Sequence, residues 1–301
     1  MKAAQGVRPC AGIEAAFQKR LDLLVAEMHN SLVYWLTAAY NAKPPEMATD
    51  AKYFGSPAMV MRRVMRALSK RWIKRFDQAA PKLAEYFSKA TQDRSDRELK
   101  RILKDAGIAI EFKMTARAND VLRSVIGEQV SLIKSIASEH LSKVEGAVMR
   151  SMAVGGDLKS LTDELGPMVD LSRIRMGRKP GESDKSLLAR TRRRAAFIAQ
   201  DQLNKANSAI STERCLSIGL EKGQWVHSHG SKVPRPSHLK ASDEKLIFDL
   251  KTGAFLDGEY VMPHTLPNCH CFYKPVIPSL QEAIKIKAGR PKFRTDAAET
   301  A

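Results

Sequence analysis

Apolar residues in the first half of the chain recur at three- and four-residue steps, the spacing that lines one face of an α-helix. Leu21, Leu24, Val25, Met28 and Leu32 form one such stripe, continued by Tyr34 and Leu36 and broken at Pro44-Pro45. The same spacing predicts a helix over about 57–76 that ends ahead of Pro81, another over 95–106 with Gly107 as its stop, and a long one over 115–152 that stops near Gly155-Gly156. A last long helix is expected over 186–216. Ala195, Ile198, Gln202, Ala206, Ala209 and Glu213 mark one side of it, and Gly219 and Gly223 stand where it would end. Between these helices, Gly155-Gly156-Asp157 and residues 177–181 are rich in breakers, so 173–184 reads as a mobile basic loop.

Beyond Gly223 the period shortens. Trp225-Val226-His227, Leu246-Ile247-Phe248 and the stretch from Phe272-Tyr273 to Val276-Ile277 read as short strands, with Asp257-Gly258 as a turn. The expected class is therefore α+β: a mostly helical N-terminal region, a long helix and a small β-rich C-terminal piece. The boundaries fall at 1–155 for the helical region, 156–185 for a hinge and basic loop, 186–280 for the second domain and 281–301 for a polar tail.

Composition narrows the partners. A length of 301 residues suits one or two domains, and 6% aromatic residues suit aliphatic helix packing. No apolar run approaches the length needed to span a bilayer, so no membrane anchor is expected. Four cysteines, unevenly placed, do not make a disulfide scaffold and fit a chain folded in a reducing cytoplasm. The net charge of +17 points to a polyanionic partner: nucleic acid, anionic lipid or an acidic protein face.

Two clusters concentrate that charge. Over residues 61–76, Val64, Leu68, Trp72 and Phe76 form an apolar stripe opposite Arg62, Arg66, Lys70 and Lys74, with Arg63 beside them and no acidic residue between. This is a solvated helix face, a face for phosphates or acidic partners or, less readily, a membrane-surface helix. Arg190, Arg192, Arg193 and Arg194 stand near the start of the last long helix, where cations oppose the helix dipole and call for a negative partner. Both clusters are candidates for binding double-stranded DNA without sequence preference.

The C-terminal piece holds 5 of the 7 histidines and 2 of the 4 cysteines, so a ligand cluster is to be sought there. Cys269 and Cys271, two apart, would share a strand face. His238 could supply a third ligand and His264 or His229 a fourth, a set that suits a structural zinc. The same residues also fit plain packing of small buried side chains. Pairing either cysteine with His238 gives no oxyanion-hole signature and no orienting group, and no phosphate-binding glycine loop is present, so no enzymatic activity is expected.

The run from about Ala195 to Pro278 resembles the phage Mu F-like domain of minor head proteins. A helix with small residues and asparagine (200–213) leads to Gly219, Gly223 and a strand opening at Trp225; Arg235-Pro236-Ser237-His238 follows, and Pro267-Asn268-Cys269-His270-Cys271 closes the domain ahead of Pro275. His270 stands where that family usually has arginine. The resemblance implies a virion protein present in few copies, assembled in the host cytoplasm and active in head morphogenesis and DNA packaging. It also implies association with the portal protein and with the major capsid or scaffold protein, and contact with packaged DNA. The alternative is a metal-dependent nuclease or toxin-like effector carried in the head.

Overall fold

The computed structural model describes residues 2, 3, 5–42, 57–177, 185–230 and 233–278. Pro44-Pro45, residues 178–184 of the expected basic loop and the tail from 281 onward lie outside the described residues. The architecture is α+β, mostly helical with a small antiparallel sheet.

Seven helices run in order: α1 (Ala11–Ala42), α2 (Pro57–Asp105), α3 (Ala116–Ala153), α4 (Leu158–Leu165), α5 (Leu171–Arg175), α6 (Leu187–Ser217) and α7 (Pro236–Asp243) among the described residues. Several ends follow from local chemistry. The Thr115 side chain accepts from Ala118 N and caps α3. Gly107 adopts φ +81 past the end of α2, where its N–H donates to Lys104 O and Ile108 N donates to Leu103 O, satisfying the last carbonyls. Ser186 caps the first turn of α6 through its bond with Ala189 N.

Pro81 does not end the second helix as expected. It lies inside α2, which continues to Asp105. A proline in a helix interior costs about 3 kcal/mol, yet Phe76, Ala80, Ala84 and Phe87 keep one buried stripe in register across it while Pro81 itself faces solvent. Packing of that stripe outweighs the lost backbone bond. Gly223 likewise is not a helix stop. It lies in a strand, where an added Cβ would come within 2.9 Å of Leu250 and 3.0 Å of Tyr273.

The chain forms two compact units. The helical unit comprises 8–95 and 113–210. Its core is built from Phe17, Leu21, Met28, Phe76, Ile133 and Leu188, with further packing from α4 and α5. Asn30 ties the α4–α5 connection to α1, exchanging bonds of 2.8 Å with Val169 N and O.

The sheet unit comprises 1–7, 96–112 and residues from 211 onward. It holds β1 (Lys2–Ala3), β2 (Lys222–Val226), β3 (Ile247–Asp249) and β6 (Phe272–Ile277) in the antiparallel order β1-β6-β2-β3, and a separate hairpin of β4 (Ala254–Leu256) and β5 (Glu259–Val261). Trp225 pairs with Tyr273 across β2 and β6. The hairpin turns at Asp257 and Gly258, both with positive φ, as the sequence suggests. A sheet this small needs added core: Leu99, Ile102 and Leu103 from the last turns of α2 and Cys215 from the end of α6 pack with Trp225 and Phe248. Within the same unit, Asp96 accepts two bonds of 2.8 Å from the buried Arg214 guanidinium.

Candidate metal centre and basic faces

His238 reaches its place on α7, a helix of eight residues with no periodicity to predict it. Pro236 occupies the first turn, where its fixed φ suits a helix and its missing N–H costs nothing. The His238 ring is 2% exposed and lies edge-on to Trp225, with centroids 5.0 Å apart. Its Nδ1 lies 3.7 Å from Cys269 Sγ and 3.5 Å from Cys271 Sγ. The three side chains thus converge, with one ligand atom each and all three atoms within 4.8 Å of one another.

The cysteines do not share a strand face as the sequence suggested, because β6 begins only at Phe272. They sit in the preceding loop. There Asn268 takes φ 57 and Cys269 N donates to Leu266 O, a tight turn that brings both sulfurs to one side. His264 is not drawn into the group of three. Its ring holds the loop instead, with Nδ1 3.0 Å from Cys269 O. Arg235 fastens the start of α7 to the same loop by donating to Pro267 O at 3.2 Å, and Ser237 Oγ donates to Asp257 at 2.6 Å.

The electrostatics favour one thiolate. The Cys271 thiol, hydrogen-bonded to Cys269, is the largest influence holding Cys269 below the ordinary thiol range; burial opposes it, while His238 and the backbone N–H groups of Cys271 and His264 add to it. The same partnership and burial push Cys271 up. Backbone amides aimed at a sulfur suit a metal-bound thiolate. Distances fit as well. Tetrahedral ligation with bonds of about 2.3 Å to sulfur and 2.0–2.1 Å to nitrogen places N and S about 3.6 Å apart, and the observed separations are 3.5 and 3.7 Å. His238, Cys269 and Cys271 are residues that could hold a metal ion. His227 and His229, with rings 4.8 Å apart, lie nearby; burial first, then the charges of His229, His238 and His270, holds His227 below the ordinary histidine value.

The two basic clusters differ in kind. Along α2, Met61, Met65, Leu68, Trp72 and Phe76 are buried, and Arg62, Arg63, Arg66, Lys70 and Lys74 are exposed, joined by Arg71 and Arg75. The buried stripe therefore starts from two methionines that the sequence reading passed over, with Val64 only partly covered. On α6, Arg192 pairs with Asp22 at 3.1 Å and Arg194 with Glu139 at 2.7 Å. The negative partner that this cluster demanded comes from α1 and α3, so those two guanidinium groups serve the fold of the helical unit. Arg190 and Arg193 are exposed.

A second buried histidine site lies in the helical unit and was not anticipated. His140 Nδ1 is 2.8 Å from Thr191 Oγ1, whose own hydroxyl donates to Leu187 O at 3.0 Å. The ring is therefore the donor, and His140 is neutral with its proton on Nδ1. Burial, then the neighbouring His29 ring, lowers its pKa to about 3.

No family model matches the chain, and no solved structure matches it. It is similar to an uncharacterized protein of Haemophilus influenzae (strain ATCC 51907 / DSM 11121 / KW20 / Rd), with 31% identity over 156 residues, 52% of this chain. The matched stretch spans 29% of that relative's length.

Proposed function

We propose that the chain is a minor head protein of a tailed bacteriophage, of the phage Mu F-like kind. In this reading it associates with the portal and with the capsid or scaffold during assembly in the host cytoplasm, remains in the virion and contacts packaged DNA without sequence preference. The observation that carries the reading is the union of the Arg235–His238 and Pro267–Cys271 segments. These two separated motifs, which carry the resemblance, are bound to each other by Arg235 and meet at His238, Cys269 and Cys271. The exposed cations of α2 supply a surface for DNA. None of the described helices is long and apolar enough to cross a membrane.

Zinc is the ion that this donor set suits best: two thiolates and one imidazole, close to tetrahedral spacing, in a unit with little core of its own. His238, Cys269 and Cys271 would hold it, and the ion would supply a cross-link between α7 and the loop before β6. Purified protein should carry about one zinc per chain. Cobalt loaded in its place should give sulfur-to-metal absorption that disappears in Cys271→Ala.

A metal-dependent nuclease is the second reading, since three ligands leave a coordination position open. Burial of all three residues favours the structural role. The decisive experiment removes the gene from the producing phage. The expected result is heads that fail to fill with DNA, and in the complemented phage the tagged chain is present in purified particles and captured with the portal protein. Filled heads made at the normal rate without the chain would refute the head role. Divalent-metal-dependent plasmid cutting by pure protein, lost in His238→Ala, would establish the nuclease.

A further inference from the structure

Along α2 the side chains that make an amphipathic helix sticky are already used. Met61, Met65, Leu68, Trp72 and Phe76 are buried in the helical unit, which leaves an opposite side that is mostly basic, with Ile73 exposed among the cations. Arg62, Arg63, Arg66, Lys70, Arg71, Lys74 and Arg75 are exposed, and among the described residues none has a carboxylate within 4.0 Å. So many like charges side by side without a counter-charge repel one another, which opposes folding and favours an anionic partner. By contrast, Arg192 and Arg194 in the same unit have found theirs.

This basic face has relief. Arg71, Lys74 and Arg75, one turn apart on α2, line a hollow of about 430 Å³ with Trp72, Gln78 and Glu27 of α1. Three cations against one carboxylate leave the hollow positive. A smaller hollow joins Ala39 and Tyr40 of α1 to Pro57, Val60 and Met61 of α2. Rising numbers on α1 therefore meet falling numbers on α2, and the two helices run antiparallel. Tyr34 stands seven residues after Glu27, hence on the same face of α1 and about 10.5 Å further along. At that level the facing part of α2 is the stretch around residues 63–70. Tyr34 and Trp35 are 56% and 47% exposed, with ring centroids 5.2 Å apart. By this helical spacing Tyr34 falls on the face of α1 that lines the hollow, and the exposed Trp35 ring meets it edge-on.

We infer that the α1–α2 face binds single-stranded nucleic acid, with phosphates held at Arg71, Lys74 and Arg75 and unpaired bases stacked on Tyr34 and Trp35. Cations alone would serve a duplex, whose bases are already stacked on one another. Exposed rings next to cations add something only for a strand whose bases are free. The inference sharpens the nucleic-acid contact proposed above and rests on it for the class of polymer. An anionic membrane is the less suitable partner, because the apolar stripe of α2 that would enter the lipid is buried in the protein's own core.

The test uses the full chain with a labelled 20-nucleotide oligothymidylate and a duplex of mixed sequence and equal length, at two salt concentrations. The single strand is expected to bind more tightly and to quench tryptophan emission. Trp35 should account for most of the quenching, since it is 47% exposed whereas Trp72, in the wall of the hollow, is 7% exposed and Trp225 is fully buried, and Trp35→Phe should remove that part. Tyr34→Ala with Trp35→Ala should weaken single-strand binding about tenfold or more and leave the duplex affinity within about twofold. Arg71→Gln, Lys74→Gln and Arg75→Gln together should weaken both and lower the single-strand salt slope by about 2. All five positions are exposed, and circular dichroism confirms that each variant is folded. Equal loss on both polymers from the aromatic variant, or no loss on either, overturns the single-strand assignment and leaves the duplex contact standing. Binding of neither polymer overturns both. Retention on anionic vesicles, undisturbed by oligothymidylate, overturns it in favour of a lipid surface.

Discussion

Each unit of this protein buries more than one histidine, and two of them, His140 and His238, are put to opposite uses. In the helical unit His140 meets a hydroxyl already committed to Leu187 O, with the His29 ring beside it, and burial holds the ring neutral. In the sheet unit His238 meets two thiols, and the surrounding amides and hydrogen bonds favour a thiolate at one of them. The first site resists charge, whereas the second is arranged to hold it. Depth of burial is nearly the same, so the partner atoms, and not exposure, decide which chemistry a buried histidine performs.

The sharpest way to break this contrast is to empty the second site. Removal of metal by a strong chelator, or Cys271→Ala, should destabilise the sheet unit by about 4 kcal/mol or more, the range reached when a structural ligand is lost. Calorimetry should show one thermal transition shifted and the other, from the helical unit, in place. If both transitions stay put, the three residues are only packed together. Acid tests the first site. His140 has a folded pKa of about 3 against an ordinary 6.5, so the unfolded chain takes up a proton that the folded one refuses. The stability contributed by the neutral ring is complete above about pH 6.5 and is lost as pH falls toward 3. Between pH 6.5 and 4.5 the loss should amount to about 2–3 kcal/mol. Denaturant titrations across that window should flatten in His140→Leu, and an unchanged pH slope would show that the ring is not held neutral by burial.

Smaller effects refine the comparison. His238→Ala and Cys269→Ala should be non-additive by about 1–2 kcal/mol, since either alone breaks one unit. A full sum in a double-mutant cycle would separate them. Thr191→Val should cost about 1–3 kcal/mol, because it leaves the buried His140 N–H without its acceptor. A larger loss at Thr191 than at Cys271, measured by urea unfolding, would reverse the contrast between the two sites.

What the sequence revealed of these sites was local. Thr115 announced the start of α3, Gly107 the end of α2, and Cys-x-Cys with His238 the cluster. Each signal is carried within a few residues or by an unusual residue type. What it concealed was of several kinds. Pro81 is a strong local breaker, overruled by buried neighbours whose stripe passes through it. The compensation of Arg192 comes from Asp22, 170 residues away, and periodicity has no access to pairings at such distance. Helix α7 was hidden for a third reason. At eight residues it is too short to show a period, and only Pro236 in its first turn signalled it. His140 escaped notice because a lone histidine in a helical stripe has no distinguishing pattern until its partner Thr191 is known.

The pairing of Lys2–Ala3 with Val276 and Ile277 sets an order in time. During synthesis every residue of the helical unit is available once position 210 has been added. The four-stranded sheet must wait about 67 residues longer, because its edge strand at Lys2–Ala3 pairs with β6, which runs to Ile277. At translation rates of roughly 5–20 residues per second, that delay is on the order of 3–13 s. For that interval Lys2–Ala3, the last turns of α2 and the end of α6 have no finished sheet to join. Cys215, Trp225 and Phe248, as each is added, then lack the finished sheet that buries them, while the helical unit already has all its residues.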